Sequence, residues 1–170
     1  MSGPAGSSQW MYATGFDVDQ SLRFDNTRVT FLHRNAVATA AGRKKFTISC
    51  WFKLGNSGGI VGSGSCAFFR SEDAQITYES NGKISVLGGS KTSRTTAQFR
   101  DPSAWHHAVF AVDTTQGTAA DRAKIYINGV HSPSENTDFP TQNGNVLGSS
   151  GNQYISSNCS PGGAIVDGNL

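Results

Sequence analysis

The acidic residues of this 170-residue chain show no pattern for carbohydrate hydrolysis. Cleavage of a glycosidic bond needs two carboxylates close to that bond, and a strand supplies them when one residue separates two acids. Glu72 and Asp73 are adjacent, so a strand would point them to opposite faces. Asp17 and Asp19 have the required spacing, but they lie in the glycine- and serine-rich residues 1–20. We therefore expect no polysaccharide hydrolase and no other enzyme.

The histidines give no clear nucleophilic or metal site. His106 and His107 are adjacent, so they would face opposite sides of a strand and could not share one metal ion. His33 and His131 are isolated in the sequence. No G-x-S-x-G motif is present, although spacing alone leaves a Ser–His–Asp triad open. We interpret the histidines as strand residues that hydrogen-bond to the backbone.

Three aspartates are the candidate metal ligands. Asp101, Asp113 and Asp121 could approach one another at one edge of the fold, where loop carbonyl groups would complete an oxygen shell for calcium. The alternative is that they initiate turns, and Asp101 before Pro102 suits that role. Outside this candidate calcium site we expect no cofactor.

Outward-facing aromatic rings are the candidate ligand-binding residues, because the flat face of a sugar ring stacks on them. Trp51 falls on the polar face of its predicted strand, and we expect Tyr78 and Tyr126 to face outward as well. The alternative is that Trp51 packs against a second sheet or a covering loop.

Short β-strands must position all of these residues. Residues 45–54 alternate without a break between apolar and polar side chains, which predicts a strand with one buried face. Residues 105–113 are apolar on both faces, which suits the middle of a packed assembly. Further strands are predicted at residues 21–24, 29–33, 66–70, 75–79, 83–87, 94–99, 122–128 and 130–131, and more weakly at 145–147, 153–156 and 163–166.

Turn signals separate these strands, and no segment has a helical period. The Asn81-Gly82 and Asn128-Gly129 pairs suit two-residue hairpin turns. Many short strands with such turns predict an all-β fold, a sandwich of two antiparallel sheets. We assign residues 21–170 to this single domain and residues 1–20 to an N-terminal arm. Three adjacent aromatic and sulfur side chains of the arm are candidates for docking on a partner: Trp10, Met11 and Tyr12.

Charge and cysteine content limit the partners and the compartment. The net charge is +2, so we expect no nucleic-acid binding, and no apolar run is long enough to span a membrane. The N-terminus has no secretory signal pattern, and three cysteines are an odd number. A disulfide between Cys66 and Cys159 is possible. We favour the alternative, in which all three cysteines are free thiols that pack as small apolar residues.

Four segments together resemble the laminin-G-like, concanavalin A-like lectin/glucanase domains. They read SLRF at residues 21–24, FTISCWFK at 46–53, WHHAVFAVD at 105–113 and KIYINGV at 124–130. Three more resemble the version of this domain found in virion proteins of tailed phages: QWMY at residues 9–12, FRDPSAW at 99–105 and VDTTQ at 112–116. The resemblance covers residues 9–131, and only residues 165–168 suggest a closing strand beyond it.

The resemblance implies a jelly-roll sandwich, a location in the virion and affinity for glycans. Because the acidic pair of the glucanase branch is missing, it does not imply hydrolysis. We expect a non-enzymatic structural protein on the exterior of a phage particle, made in the host bacterial cytoplasm. It would decorate or cement the head, or form part of a fibre, within an oligomeric assembly of capsid or tail subunits. The second hypothesis is a receptor-binding module that holds glycan of the host surface, and the third is a hydrolase.

Overall fold

The computed structural model describes residues 22–24, 31–35, 42–54, 66–71, 73–88, 91–135, 138–148, 152–156 and 168–169, and all structural statements below concern these. They form twelve strands and one short 3-10 helix at Ala119–Asp121. The strands are β1 (Arg23–Phe24), β2 (Leu32–Arg34), β3 (Lys45–Leu54), β4 (Cys66–Arg70), β5 (Ala74–Tyr78), β6 (Ile84–Gly88), β7 (Lys91–Arg94), β8 (Trp105–Asp113), β9 (Ala123–Ile127), β10 (Val130–Ser132), β11 (Gln153–Ile155) and β12 (Gly168–Asn169).

Two six-stranded sheets make up the fold, which confirms the predicted all-β sandwich. Sheet A has the order β1-β12-β3-β8-β9-β10, and sheet B has the order β2-β11-β4-β5-β6-β7. The strand pairings within both sheets are antiparallel. No helix among the described residues is long and apolar enough to cross a membrane.

The core lies between the sheets and follows from the period-two alternation. In sheet A, Phe52 of β3 and Phe110 of β8 are fully buried. In sheet B, Ile76 of β5 and Ile84 of β6 are fully buried as well. The apolar side chains of both sheets join into one cluster, so the two sheets share a single core.

A β-bulge lets two successive phenylalanines of sheet B contact this core. The register between β4 and β5 shifts between Ala67 and Phe69. Such a shift adds one residue to β4, which breaks the strict alternation of faces. Phe68 is therefore buried against Phe52, with ring centroids 4.8 Å apart, while Phe69 packs against the same cluster.

The two predicted Asn-Gly hairpins form, but with different turns. Between β9 and β10 both Asn128 and Gly129 have positive φ, 51° and 80°, as a two-residue type I′ turn requires. Between β5 and β6 only Gly82 has positive φ, and the chain closes through a Glu79–Lys83 backbone pair. That loop is therefore one residue longer than predicted, a tight turn followed by a left-handed glycine.

Two strand predictions were wrong. No strand forms over residues 94–99. The strand β7 lies earlier and ends at Arg94, and beyond it Thr95 makes only an isolated bridge to Ser134. Residues 145–147 form a loop that reaches the core without pairing in a sheet. Val146 is buried there, and its N–H group donates to the carbonyl oxygen of Arg43 at 2.8 Å.

Candidate ligand-binding face

The outer face of sheet A carries a row of aromatic side chains, here called the aromatic row. It consists of Trp105, Trp51, His107, Tyr126 and His131, which come from β8, β3, β8, β9 and β10. Alternation places them outward, because their neighbours Phe52, Ala108 and Ile127 are buried. Cross-strand register then brings four of them together in two pairs: Trp51 lies opposite His107, and Tyr126 lies opposite His131.

Trp51 and His107 form the centre of this row. Their ring centroids are 5.0 Å apart with the planes tilted by 30°. The Ser49 hydroxyl is hydrogen-bonded to Nε2 of His107 at 2.8 Å. In the turn that follows β9, Asn128 Oδ1 accepts the backbone N–H of His107, also at 2.8 Å. The hydrogen bond with Ser49 orients the imidazole, and the indole of Trp51 packs against it.

Both tryptophans of the row remain open to solvent, although Trp51 contacts His107. Trp51 is 55% exposed and Trp105 is 42% exposed, so the alternative in which Trp51 is covered by a sheet or loop is wrong. Tyr126 is partly buried against His131, with ring centroids 5.4 Å apart. A flat exposed surface with polar groups beside it can stack against the apolar face of a ring-shaped ligand and hydrogen-bond to its edges.

The sequence predicted that Trp51 and Tyr126 face outward, and they do, but it did not single out Trp105 or the two histidines of the row. His107 was interpreted as bonded to the backbone, whereas its ring bonds to the Ser49 side chain. Alternation already placed Trp105 and His107 on one face of their strand. Their approach to Trp51 depends on the register between β3 and β8, which local sequence does not give.

Tyr78 does not face outward, so that prediction was wrong. It is the last residue of β5 and belongs to the core, because its partners across the sheet are Cys66 and Ile84. Its hydroxyl donates a hydrogen bond to the carbonyl oxygen of Phe99 at 2.5 Å. Burial raises the pKa of the Tyr78 hydroxyl above its ordinary value. Its ring has no free face for a ligand.

The three candidate calcium ligands do not meet at one edge. Asp101 precedes β8 and Asp113 ends it, and eight steps of about 3.3 Å put the two ends of that strand about 26 Å apart. Asp113 and Asp121 do line one shallow pocket, but each is paired with a lysine, Lys45 at 3.2 Å and Lys124 at 2.8 Å. Within the described residues, no three acidic, histidine or cysteine side chains are grouped as metal ligands.

Two of these aspartates initiate turns, as the alternative interpretation predicted. Asp101 accepts the N–H and the hydroxyl of Ser103, at 2.8 and 2.6 Å. Asp113 accepts the same two groups of Thr115, at 3.0 and 2.6 Å. Both carboxylates thus hold the backbone at the two ends of β8.

Replacing Asp113 by asparagine should lower stability in a pH-dependent way. The Thr115 hydroxyl, and then Gln116, hold the pKa of the Asp113 carboxyl well below its ordinary value of 3.8. A depressed pKa in the folded state adds stability that is present above the ordinary value and is lost as the pH falls below it. Thermal unfolding should show a lower Tm for Asp113→Asn at pH 7 and a narrowing difference below pH 3.8. A difference that stays constant down to pH 3 would contradict this.

The docking candidates of the arm and one of the cysteines lie outside the described part of the chain, and the Cys50 thiol is unreactive. Trp10, Met11, Tyr12 and Cys159 are among the residues outside it. Burial raises the pKa of the Cys50 thiol to about 11, so the thiol is neutral at pH 7 and is not a nucleophile. Cys50 packs against the core as a small apolar residue, as predicted.

Comparison with known families agrees with this architecture. The family model described as "Concanavalin A-like lectin/glucanases superfamily", of the laminin G type, matches residues 9–167. The chain belongs to this superfamily. The match confirms the resemblance to the laminin-G-like, concanavalin A-like domains and the jelly-roll sandwich that it implied.

A solved structure shares the superfamily's sandwich. The native heptameric SAP-like pentraxin from Limulus polyphemus superposes with a TM-score of 0.54 over 87% of this chain and 70% of that one. Sequence identity is 14%, so the likeness supports the fold alone. No curated protein sequence matches the chain.

Proposed function

We propose that this domain is a non-enzymatic protein on the exterior of a tailed-phage particle and that the aromatic row binds glycan of the host surface. The observation that carries the proposal is the exposed indole of Trp51, whose ring lies 5.0 Å from the half-buried imidazole of His107. The three phage-like segments of the sequence support the virion location, and the superfamily supports a lectin-like scaffold. The sequence alone ranked decoration or cement first, and the exposed rings favour binding.

The row offers the two kinds of contact that a sugar needs. The indole faces of Trp51 and Trp105 are apolar and flat, and each lies beside a polar group on the same face of the sheet. Lys53 lies opposite Trp105, and Ser49 lies next to the Trp51–His107 pair. Rigid aromatic rings lose little conformational entropy on binding, so they contribute more affinity than flexible side chains of similar area.

Truncating Trp51 to alanine should weaken glycan binding at least about tenfold, because removal of a central aromatic contact typically costs more than about 1.4 kcal/mol. An array of bacterial capsular and lipopolysaccharide glycans would identify the bound sugar, and titration calorimetry would give the two affinities. The matched control is Phe31→Ala, which removes an exposed ring from the margin of sheet B. Equal losses in both variants, or a blank array for the unmodified protein, would overturn the proposal.

The non-enzymatic part of the proposal has its own measurement. Each glycan bound on the array should release no reducing sugar after prolonged incubation with the folded protein. Release of reducing sugar would identify a hydrolase instead.

Decoration or cementing of the phage head is the second candidate, and the aromatic row favours it too. Exposed tryptophan and tyrosine are enriched at protein interfaces as well as at sugar sites. Immunogold labelling of intact particles separates the two functions. Gold spread over the head would indicate a decoration protein, and gold confined to the tail or its fibres would indicate glycan-binding adhesion.

A further inference from the structure

The two lateral sides of the sandwich differ in how they are closed. On one side, β10 of sheet A and β7 of sheet B are tied together by the chain that follows β10. Thr95 bridges to Ser134, and the Glu135 N–H donates to the Arg94 carbonyl at 2.8 Å. Arg94 and Lys83 both pair with the Glu135 carboxylate. Hydrogen bonds and ion pairs therefore seal this side.

The opposite side is open where the edge strands β1 and β2 meet. A cleft of about 570 Å³ lies between them, with Phe24, Ile48 and Phe68 among the core-facing residues that line it. Three large apolar residues at its margins are about half exposed: Leu22, Leu32 and Ile155. Apolar residues clustered around a cleft of this size indicate a surface that another group covers.

We propose that residues 10–12 of the same chain, Trp-Met-Tyr, occupy this cleft. They are three consecutive large aromatic and sulfur-containing residues, close in sequence to the lining of the cleft. Only nine residues, 13–21, separate Tyr12 from Leu22, so these two residues can lie at most about 36 Å apart. Such a short tether keeps the segment close to the cleft, which favours its docking there over a second molecule.

The extent of the family match supports an occupant from the same chain. Residues 9–21 fall within the part of the chain that matches the superfamily, as a segment of the same domain would. On this proposal the arm completes the domain, whereas the partner-docking hypothesis from the sequence leaves the arm free in the isolated protein. The first hypothesis predicts a Trp10 side chain that is shielded from solvent in the isolated protein, and the second predicts an exposed one.

The experiment uses Trp10 as the only tryptophan of the full-length chain. The chain has three tryptophans, and Trp51 and Trp105 are both exposed, so Trp51→Phe with Trp105→Phe isolates Trp10 at little structural cost. If Trp10 lies in the cleft, its emission is blue-shifted and protected from acrylamide at all protein concentrations. Emission typical of exposed tryptophan would overturn the proposal. Protection that appears only at high concentration would also overturn it, because a second copy would then supply the segment.

Cleft variants test the location. Leu32→Asp should shift the Trp10 emission to the red and raise its quenching several-fold, since a charge would line the site. Val130→Asp is the control, because Val130 is highly exposed on the sealed side, and it should leave the emission unchanged. Should the tryptophan-poor protein fail to fold, thermal unfolding of Trp10→Ala, Leu32→Asp and their combination in the natural chain gives the same answer. Additive shifts in Tm would overturn the proposal, and a double variant no less stable than Trp10→Ala would support it.

Discussion

Phe110→Ala is expected to lower the free energy of unfolding by about 3–5 kcal/mol, the usual loss for a fully buried phenylalanine. Phe110 lies at the centre of β8, between Ile48 of β3 and Ile125 of β9. Its ring also approaches Phe68 of the opposite sheet, with centroids 6.3 Å apart. The ring thus contacts residues of both sheets. Its removal leaves a cavity between them, because a shift of one neighbouring side chain would not fill it.

Urea denaturation followed by circular dichroism measures this loss. Val109→Ala is the matched control, because Val109 is the adjacent residue of the same strand and points to the outer face. Its truncation should cost about 1 kcal/mol or less, the range of strand propensity. Similar losses in the two variants would show that Phe110 does not join the sheets.

The strands that position the aromatic row could be predicted from sequence because their side chains alternate. The bounds of β3 and β8 agree with the predictions, since in each strand every second side chain faces the core. Apolar residues on both faces of β8 also placed it inside a sheet, and it pairs with β3 on one side and β9 on the other.

Residues whose surroundings come from distant parts of the chain could not be predicted. Tyr78 has a polar hydroxyl, but it is buried because the Phe99 carbonyl, 21 residues away, accepts its hydrogen bond. Asp101 and Asp113 were grouped without regard to the length of β8, which keeps them apart. The Trp51–His107 contact likewise depends on pairing across 56 residues of sequence. Periodicity assigns a side chain to a face, and only sheet register gives its neighbours.

His106 shows the reverse case, a polar side chain directed into the core without a partner. It lies on the inward face of β8, with Phe52 at 5.3 Å and Phe99 at 5.6 Å between ring centroids. Both ring nitrogens are buried, and no hydrogen-bond partner satisfies either of them in the described part of the chain. A buried polar group left unsatisfied costs about 1–3 kcal/mol.

His106→Leu is therefore expected to raise the free energy of unfolding by about 1–3 kcal/mol, because leucine fills the position without burying a polar atom. Urea denaturation should show a higher midpoint with an unchanged slope, the sign of altered stability alone. His131→Leu is the control on the outer face, because His131 is exposed, and it should change stability by about 0.5 kcal/mol or less. A lower midpoint for His106→Leu would mean that an ordered water satisfies the imidazole, since buried waters bond to such groups and are costly to remove.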